Sequence, residues 1–388
     1  MSFRLPPVLT VPTGARTGRF TLIDGLRGIA SLAVVFFHLD RAVSRCHPGW
    51  AHPALAKVFA LGWAGVPVFF VLSGFVISYS IRRSRITAGF FGRFYLRRML
   101  RLDPPYWASM VLAIGLTALS ASLFPDLHKE LPGWRQIVLH LFYLQDLTGV
   151  GNIVDVYWTL CLEIQFYLLL VLLVGLLAKG WEPEERERRW DRTPAFFLVI
   201  TPLLLLSLLQ YFDLIEISPH GLFLPYWYQF SLGTLAWWSL DGRIDRRVFF
   251  VFWIVVAAFW LGRLWLVRFD FGPLAALLTS LVLYAGGRRN ALGSWLSARP
   301  TLYLGTLSYS LYLIHPILGW RAISVFERFA GPELNTLEAV AAFCFGVAVS
   351  LGATHLFYCL IERPSHEFSR RVRLPRPGSF TPARDTGA

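Results

Sequence analysis

Arg27 and His38 stand eleven positions apart in the apolar stretch Ile23–His38, IDGLRGIASLAVVFFH. Eleven steps of about 100° return a helix to nearly the same face. The two side chains therefore share one stripe, roughly 16 Å apart along the axis at about 1.5 Å per residue. A guanidinium can hold a phosphate bidentately, and a histidine imidazole suits general-base work near neutral pH. Charge inside lipid costs at least ~2.5–3.5 kcal/mol even on insertion scales, so the stripe is expected to face protein or water. The plainer alternative is an Arg27 that snorkels to the headgroups and a His38 capped by a neighbouring helix.

Three other stretches carry ionisable groups in apolar surroundings. Glu163 lies in VYWTLCLEIQFYLLL and His315 in LYLGTLSYSLYLIHP, while Arg98 and Arg101 are spaced i,i+3 in the basic run Arg97–Arg101. If His38, Glu163 and His315 fall at similar depth, a shared polar cavity accounts for all three, since intramembrane Glu and His are functional by default. Separate interhelical hydrogen bonds are the alternative, most simply for His315. Arg97, Arg98, Arg101 and Arg27 are expected at an inner mouth that could hold a phosphorylated ligand. Juxtamembrane arginines also serve topology and anionic-lipid contact, which suffices for Arg82, Arg83 and Arg85. Trp158, about one turn from Glu163, is a candidate to stack on a bound ring, or else a helix-end anchor.

The elements that must position these groups are membrane helices. The 388 residues are 55% hydrophobic and 16% charged, with long apolar runs from end to end. Period-2 alternation is nearly absent, which argues against a transmembrane barrel. The spacing predicts an all-α polytopic bundle of about ten transmembrane helices, over 22–41, 58–81, 104–124, 156–178, 194–212, 221–240, 247–266, 270–286, 301–326 and 336–361. The piece Gln136–Leu147 is too short to cross, and is expected to be re-entrant or interfacial. The net charge of +13 sits in short loops, where orientation in the membrane explains it better than nucleic acid. The arginine distribution places both termini in the cytoplasm, with loop 39–57 outside despite Arg41, Arg45 and Lys57. Glu362-Arg363-Pro364 is expected to end the last helix. The four cysteines form no CxxC pair and offer neither a metal site nor a disulfide framework.

Taken together, IDGLRGIASLAVVFFH, FFVLSGF at Phe69–Phe75, the basic run before Pro104–Trp107, Trp158–Tyr167, Gly305–Pro316 and Glu362-Arg363-Pro364 resemble the membrane-bound acyltransferase 3 family. The resemblance implies an acyltransferase 3 transmembrane domain over 21–366, between a cytoplasmic segment 1–20 and a disordered cytoplasmic tail 367–388. It also implies transfer of an acyl group, usually acetyl from acetyl-CoA, to a hydroxyl of a carbohydrate, glycolipid or macrolide-like acceptor at the cell membrane. Acyl-CoA is then a cosubstrate, with no tightly bound cofactor. By motif, the family's first-helix arginine and histidine are Arg27 and His38, and its Arg-x-x-Arg pair is Arg98 and Arg101. Thr159 replaces the usual serine, and Asp103 stands where an aromatic residue is frequent.

A mechanism follows as an expectation. CoA phosphates lie near Arg98, Arg101 and Arg27, and the pantetheine arm follows the stripe toward His38. His38 acts as general base, Glu163 orients its imidazole, and Tyr309, Thr159 or His315 stabilises the oxyanion. Trp158 and His315 contact substrate. The competing reading is a multi-pass transporter of an acylated or anionic small molecule, against which the lack of matched halves counts.

Overall fold

A computed structural model describes residues 20–82, 84, 86–124, 130–177, 194–217, 221–266, 270–331 and 334–374. The expected N-terminal segment (residue 20 apart), loop 179–193, Arg83, Arg85 and the tail beyond 374 lie outside the described residues. Among the described residues all regular structure is helical: α1 Thr21–Ser44, α2 Pro53–Ala60, α3 Gly65–Ile81, α4 Ala88–Leu123, α5 Trp134–Leu141, α6 Trp158–Leu177, α7 Pro194–Tyr211, α8 Trp227–Leu240, α9 Arg246–Leu266, α10 Phe271–Arg288, α11 Arg299–Ile314, α12 Trp320–Ala330, α13 Thr336–Phe357 and α14 Arg363–Ser369. Five are long and apolar enough to cross a membrane, alone or with their continuations: Thr21–Ser44, Pro53–Ile81, Ala88–Leu123, Asp155–Leu177 and Thr336–Ser369. Each of the other expected spans also coincides with a helix, and the chain is a multi-pass all-α membrane bundle.

Small residues bring two pairs of helices into close contact. Gly28 of α1 and Gly305 of α11 face each other. A Cβ on Gly28 would overlap the Thr301 carbonyl, and one on Gly305 would overlap that of Asp24. Gly74 of α3 and Gly233 of α8 repeat the arrangement, each against the other helix's backbone. In lipid no hydrophobic force presses helices together, so close backbone approach supplies the packing. The α1–α11 contact is the one that matters for the site, because it carries His38 toward His315.

Several expectations on helix ends are corrected. The basic run is already helical: α4 starts at Ala88 and passes through Pro104 and Pro105. Span nine runs through its expected range, but bends there: α11 continues through a π-turn at His315–Gly319 into α12. The last helix does not stop at Glu362-Arg363-Pro364 either, but continues through a π-turn at Tyr358–Glu362 into α14. In both cases a proline, which lacks an N–H and crowds the preceding turn, sits in or just beyond the wider turn. Each π-turn turns an ionisable side chain inward: His315 is 0% and Glu362 7% exposed.

The short piece behaves as its length requires. Helix α5 is eight residues, about 12 Å at 1.5 Å per residue, too little to cross a ~30 Å core. The Tyr143 hydroxyl after it donates to Asp103 Oδ1 (2.9 Å), and His140 Nε2 accepts from the Ile153 N–H (3.0 Å). The basic residues after His38 are also accounted for: Arg41 stacks over Phe37 and Arg45 over Trp320, each at 4.3 Å.

Candidate active site

His38 Nδ1 lies 2.9 Å from the Val34 carbonyl and 3.2 Å from His315 Nε2. His315 Nδ1 in turn lies 2.7 Å from the Leu311 carbonyl. A carbonyl can only accept, so both Nδ1 atoms carry protons. His315 Nε2 is then an acceptor, and His38 Nδ1–H is shared between it and Val34 O. One consequence is chemical: the lone pair of His38 is left on Nε2. The partner that fixes this tautomer is His315, not a carboxylate.

His38 lines a cavity with Val34, Trp63, Asp155, Trp158, Tyr211, Tyr226, Gln229 and Tyr312 among its walls. Trp158 lies here as a ring wall, 5.4 Å from the Tyr226 ring and edge-on to Phe70. His315, expected to touch substrate, does not line this cavity and stands behind His38, fully buried. Asp155 is the carboxylate within electrostatic reach of the imidazole.

Glu163 is elsewhere. Its Oε1 accepts from Ser73 Oγ (2.7 Å) and its Oε2 from the Tyr167 hydroxyl (2.6 Å). The expected Glu163–His38 pairing is therefore not formed. Instead Glu163 lines a second cavity, together with Arg27, Thr159, Ser308, Tyr309 and Tyr312. Val66 and Tyr312 line both cavities, so the two meet at these side chains.

The arginines gather beyond the second cavity. Arg98 stacks over Tyr167 at 3.8 Å, which joins it to the Glu163 hydrogen bonds. Arg101 interacts electrostatically with Arg27, Arg98 and Glu362. His366 of α14 is within reach of Arg101, Arg370, Arg97 and Arg27. The Nε atoms of Arg27 and Arg98 and Nη2 of Arg370 are buried without a hydrogen-bond partner. Glu362 is not the exposed helix-end partner expected from sequence: its Oε2 accepts from the Ser310 N–H (3.1 Å) and Oγ (2.5 Å), holding α11 to the π-turn. Five arginines against one buried carboxylate leave an excess of positive charge, an arrangement that binds anions.

The oxyanion donors expected from sequence are committed elsewhere. Tyr309 donates to the Leu102 carbonyl (2.9 Å), and Thr159 and Tyr312 bond each other (2.7 Å) and the Val156 carbonyl. Sequence reasoning missed Asp155, Tyr211, Tyr226, Gln229 and Tyr312. An acid three residues before Trp158, at the start of a span, was a usable signal for Asp155. The others look like ordinary helix residues until the bundle closes around them.

The family profile for an acyltransferase domain matches residues 20–355, nearly the whole bundle and every residue of both cavities. The chain belongs to the acyltransferase 3 family. Among its relatives is a peptidoglycan O-acetyltransferase from Listeria monocytogenes, 24% identical over 330 residues, 76% of this chain and 49% of that protein. The chain thus spans about half the length of that relative. The acyltransferase MdmB from Streptomyces mycarofaciens is 25% identical over 413 residues, covering 95% of this chain and 97% of its own. Nodulation protein 10 from Rhizobium leguminosarum is 26% identical over 254 residues, 59% of this chain and 63% of that protein. No solved structure matches the chain.

Proposed function

We propose that this membrane protein is an O-acyltransferase that moves an acyl group, acetyl by preference, from acyl-CoA to a hydroxyl of a carbohydrate or other small acceptor. The observation that carries the reading is the meeting, at Val66 and Tyr312, of an arginine-backed cavity and one that holds the free nitrogen of His38. The phosphates of CoA occupy the cluster of Arg98, Arg101, Arg97 and Arg27, and the pantetheine arm extends through the Glu163 cavity. The acceptor enters the His38 cavity, whose tryptophan and tyrosine walls suit a ring. Relatives named as a peptidoglycan O-acetyltransferase and an acyltransferase favour this over a transporter.

Chemistry occurs where the cavities meet. His38 Nε2 takes the proton of the acceptor hydroxyl as its oxygen attacks the thioester carbonyl. The tetrahedral adduct collapses with cleavage of the C–S bond. The departing thiolate takes the proton from the imidazolium, so an ester and CoA-SH leave and His38 is neutral again. Glu163, bound to Ser73 and Tyr167, holds the wall on which Arg98 stacks and acts on the donor side. The protein resides in the cell membrane with its arginine cluster toward the cytoplasm, where acyl-CoA is made.

The test is acetyl transfer by the purified full-length protein in proteoliposomes, from radiolabelled acetyl-CoA to a panel of glycans, glycolipids and macrolides. Acceptor-dependent release of CoA that His38→Ala abolishes supports the reading. A protein that binds acetyl-CoA and all panel members yet transfers nothing refutes it.

A further inference from the structure

Gln229, the third residue of α8, is 1% exposed, yet it lines the His38 cavity and its Oε1 has no hydrogen-bond partner. A buried amide oxygen left unpaired costs about 1–3 kcal/mol unless something satisfies it. The other end of the amide is spent: Gln229 Nε2 donates to the Tyr228 hydroxyl at 2.9 Å. Oε1, the acceptor end, is the one left unpaired on a residue that lines the cavity.

We infer that Gln229 Oε1 receives a second hydroxyl of a polyhydroxylated ring, while His38 Nε2 receives the hydroxyl that is to be acylated. The assignment rests on the acyl-transfer reading for the role of the hydroxyl at His38, and names the acceptor as a pyranose class of substrate. Three lone-pair bearers converge on this cavity: His38 Nε2, Gln229 Oε1 and the Asp155 carboxylate, which is exposed to it. A ligand that fits them must offer several hydrogen-bond donors on one face, and Trp158 with Tyr226 offers an apolar wall for the other. A sugar ring has both. Gln229 is a specificity residue in this scheme, because a site built to bond a hydroxyl rejects the analogue that lacks it.

The test uses the full-length protein in detergent and saturation-transfer NMR with methyl α-glucopyranoside, methyl α-galactopyranoside, methyl α-mannopyranoside and their monodeoxy analogues. Wild type is expected to bind at least one of them, and Gln229→Leu to weaken that binding about five- to tenfold, the scale of one hydrogen bond. Gln229→Met, close to glutamine in size and without the amide, is the second variant. It is expected to weaken the same pyranoside, and one monodeoxy analogue should bind wild type and both variants alike. Unchanged affinity in Gln229→Leu overturns the inference, since a bound water would then serve Oε1; if that variant does not fold, unchanged affinity in Gln229→Met does so. No binding of any pyranoside to wild type also overturns it. A pyranoside that binds through Gln229 but accepts no acetyl from acetyl-CoA leaves the subsite standing and refutes the transfer reading.

Discussion

His38 Nδ1 and His315 Nε2 lie 3.2 Å apart, on two helices that touch through Gly28 and Gly305. The contact is a tautomer lock, with the Leu311 carbonyl deciding the proton on His315 and His315 helping to decide the proton on His38. The base and its positioning residue therefore predict different losses. His38→Ala should lower kcat by about 10²–10⁴-fold, the range for general-base catalysis. His315→Phe leaves Val34 to hold Nδ1–H and should lower kcat by only about tenfold, on the scale of one hydrogen bond. Initial rates of acetyl transfer at saturating donor check both, and equal losses would contradict the division of roles.

The arginine cluster predicts a phosphate-dependent affinity. Arg98→Ala and Arg101→Ala should each weaken acetyl-CoA by about 10–100-fold, since a hydrogen bond to a charged group is worth about 1.5–3 kcal/mol. Titration calorimetry in detergent measures this directly. S-acetyl-pantetheine, which has no phosphates, should bind the variants as it binds wild type. Arg243, paired with Asp241 at 3.0 Å away from both cavities, is the control whose replacement leaves donor affinity unchanged.

Val66 predicts a blockade. It lines both cavities, so a Val66→Trp side chain would fill the place where they meet. Acetyl transfer should fall at least a hundredfold, while acetyl-CoA still binds at the arginine cluster. Turnover and donor affinity measured on one preparation separate these outcomes. Transfer at wild-type rate would mean that the two cavities do not form the reaction path.

Gly305 predicts a coupling between packing and activity. A Cβ there would overlap the Asp24 carbonyl, and overpacking of this kind costs about 1–3 kcal/mol. Gly305→Ala should lower the midpoint of thermal unfolding in detergent and also lower kcat, by parting His38 from His315. Gly115→Ala adds its methyl to open space. It should leave kcat unchanged and keep or raise the midpoint.

The sequence by itself determined the membrane class, because long apolar runs and arginine-rich loops are properties of composition and need no partner to be read. It also determined the stripe of Arg27 and His38, since helical periodicity is local, and the length limit that keeps α5 from crossing. Only the tertiary structure decided which side chain meets which. Glu163 was legible as an intramembrane acid but not as the partner of Ser73 and Tyr167, which lie on its own and a neighbouring helix. The π-turn at Glu362 was hidden because a proline in sequence reads as a stop, and packing against Ser310 turns it into a bend; the span through Pro316 was legible, but not its π-turn at His315. Gln229 carried no signal at all: its meaning comes from the cavity it lines with His38, Asp155 and Trp158. A cavity wall is shared among helices, and it exists only once they have closed.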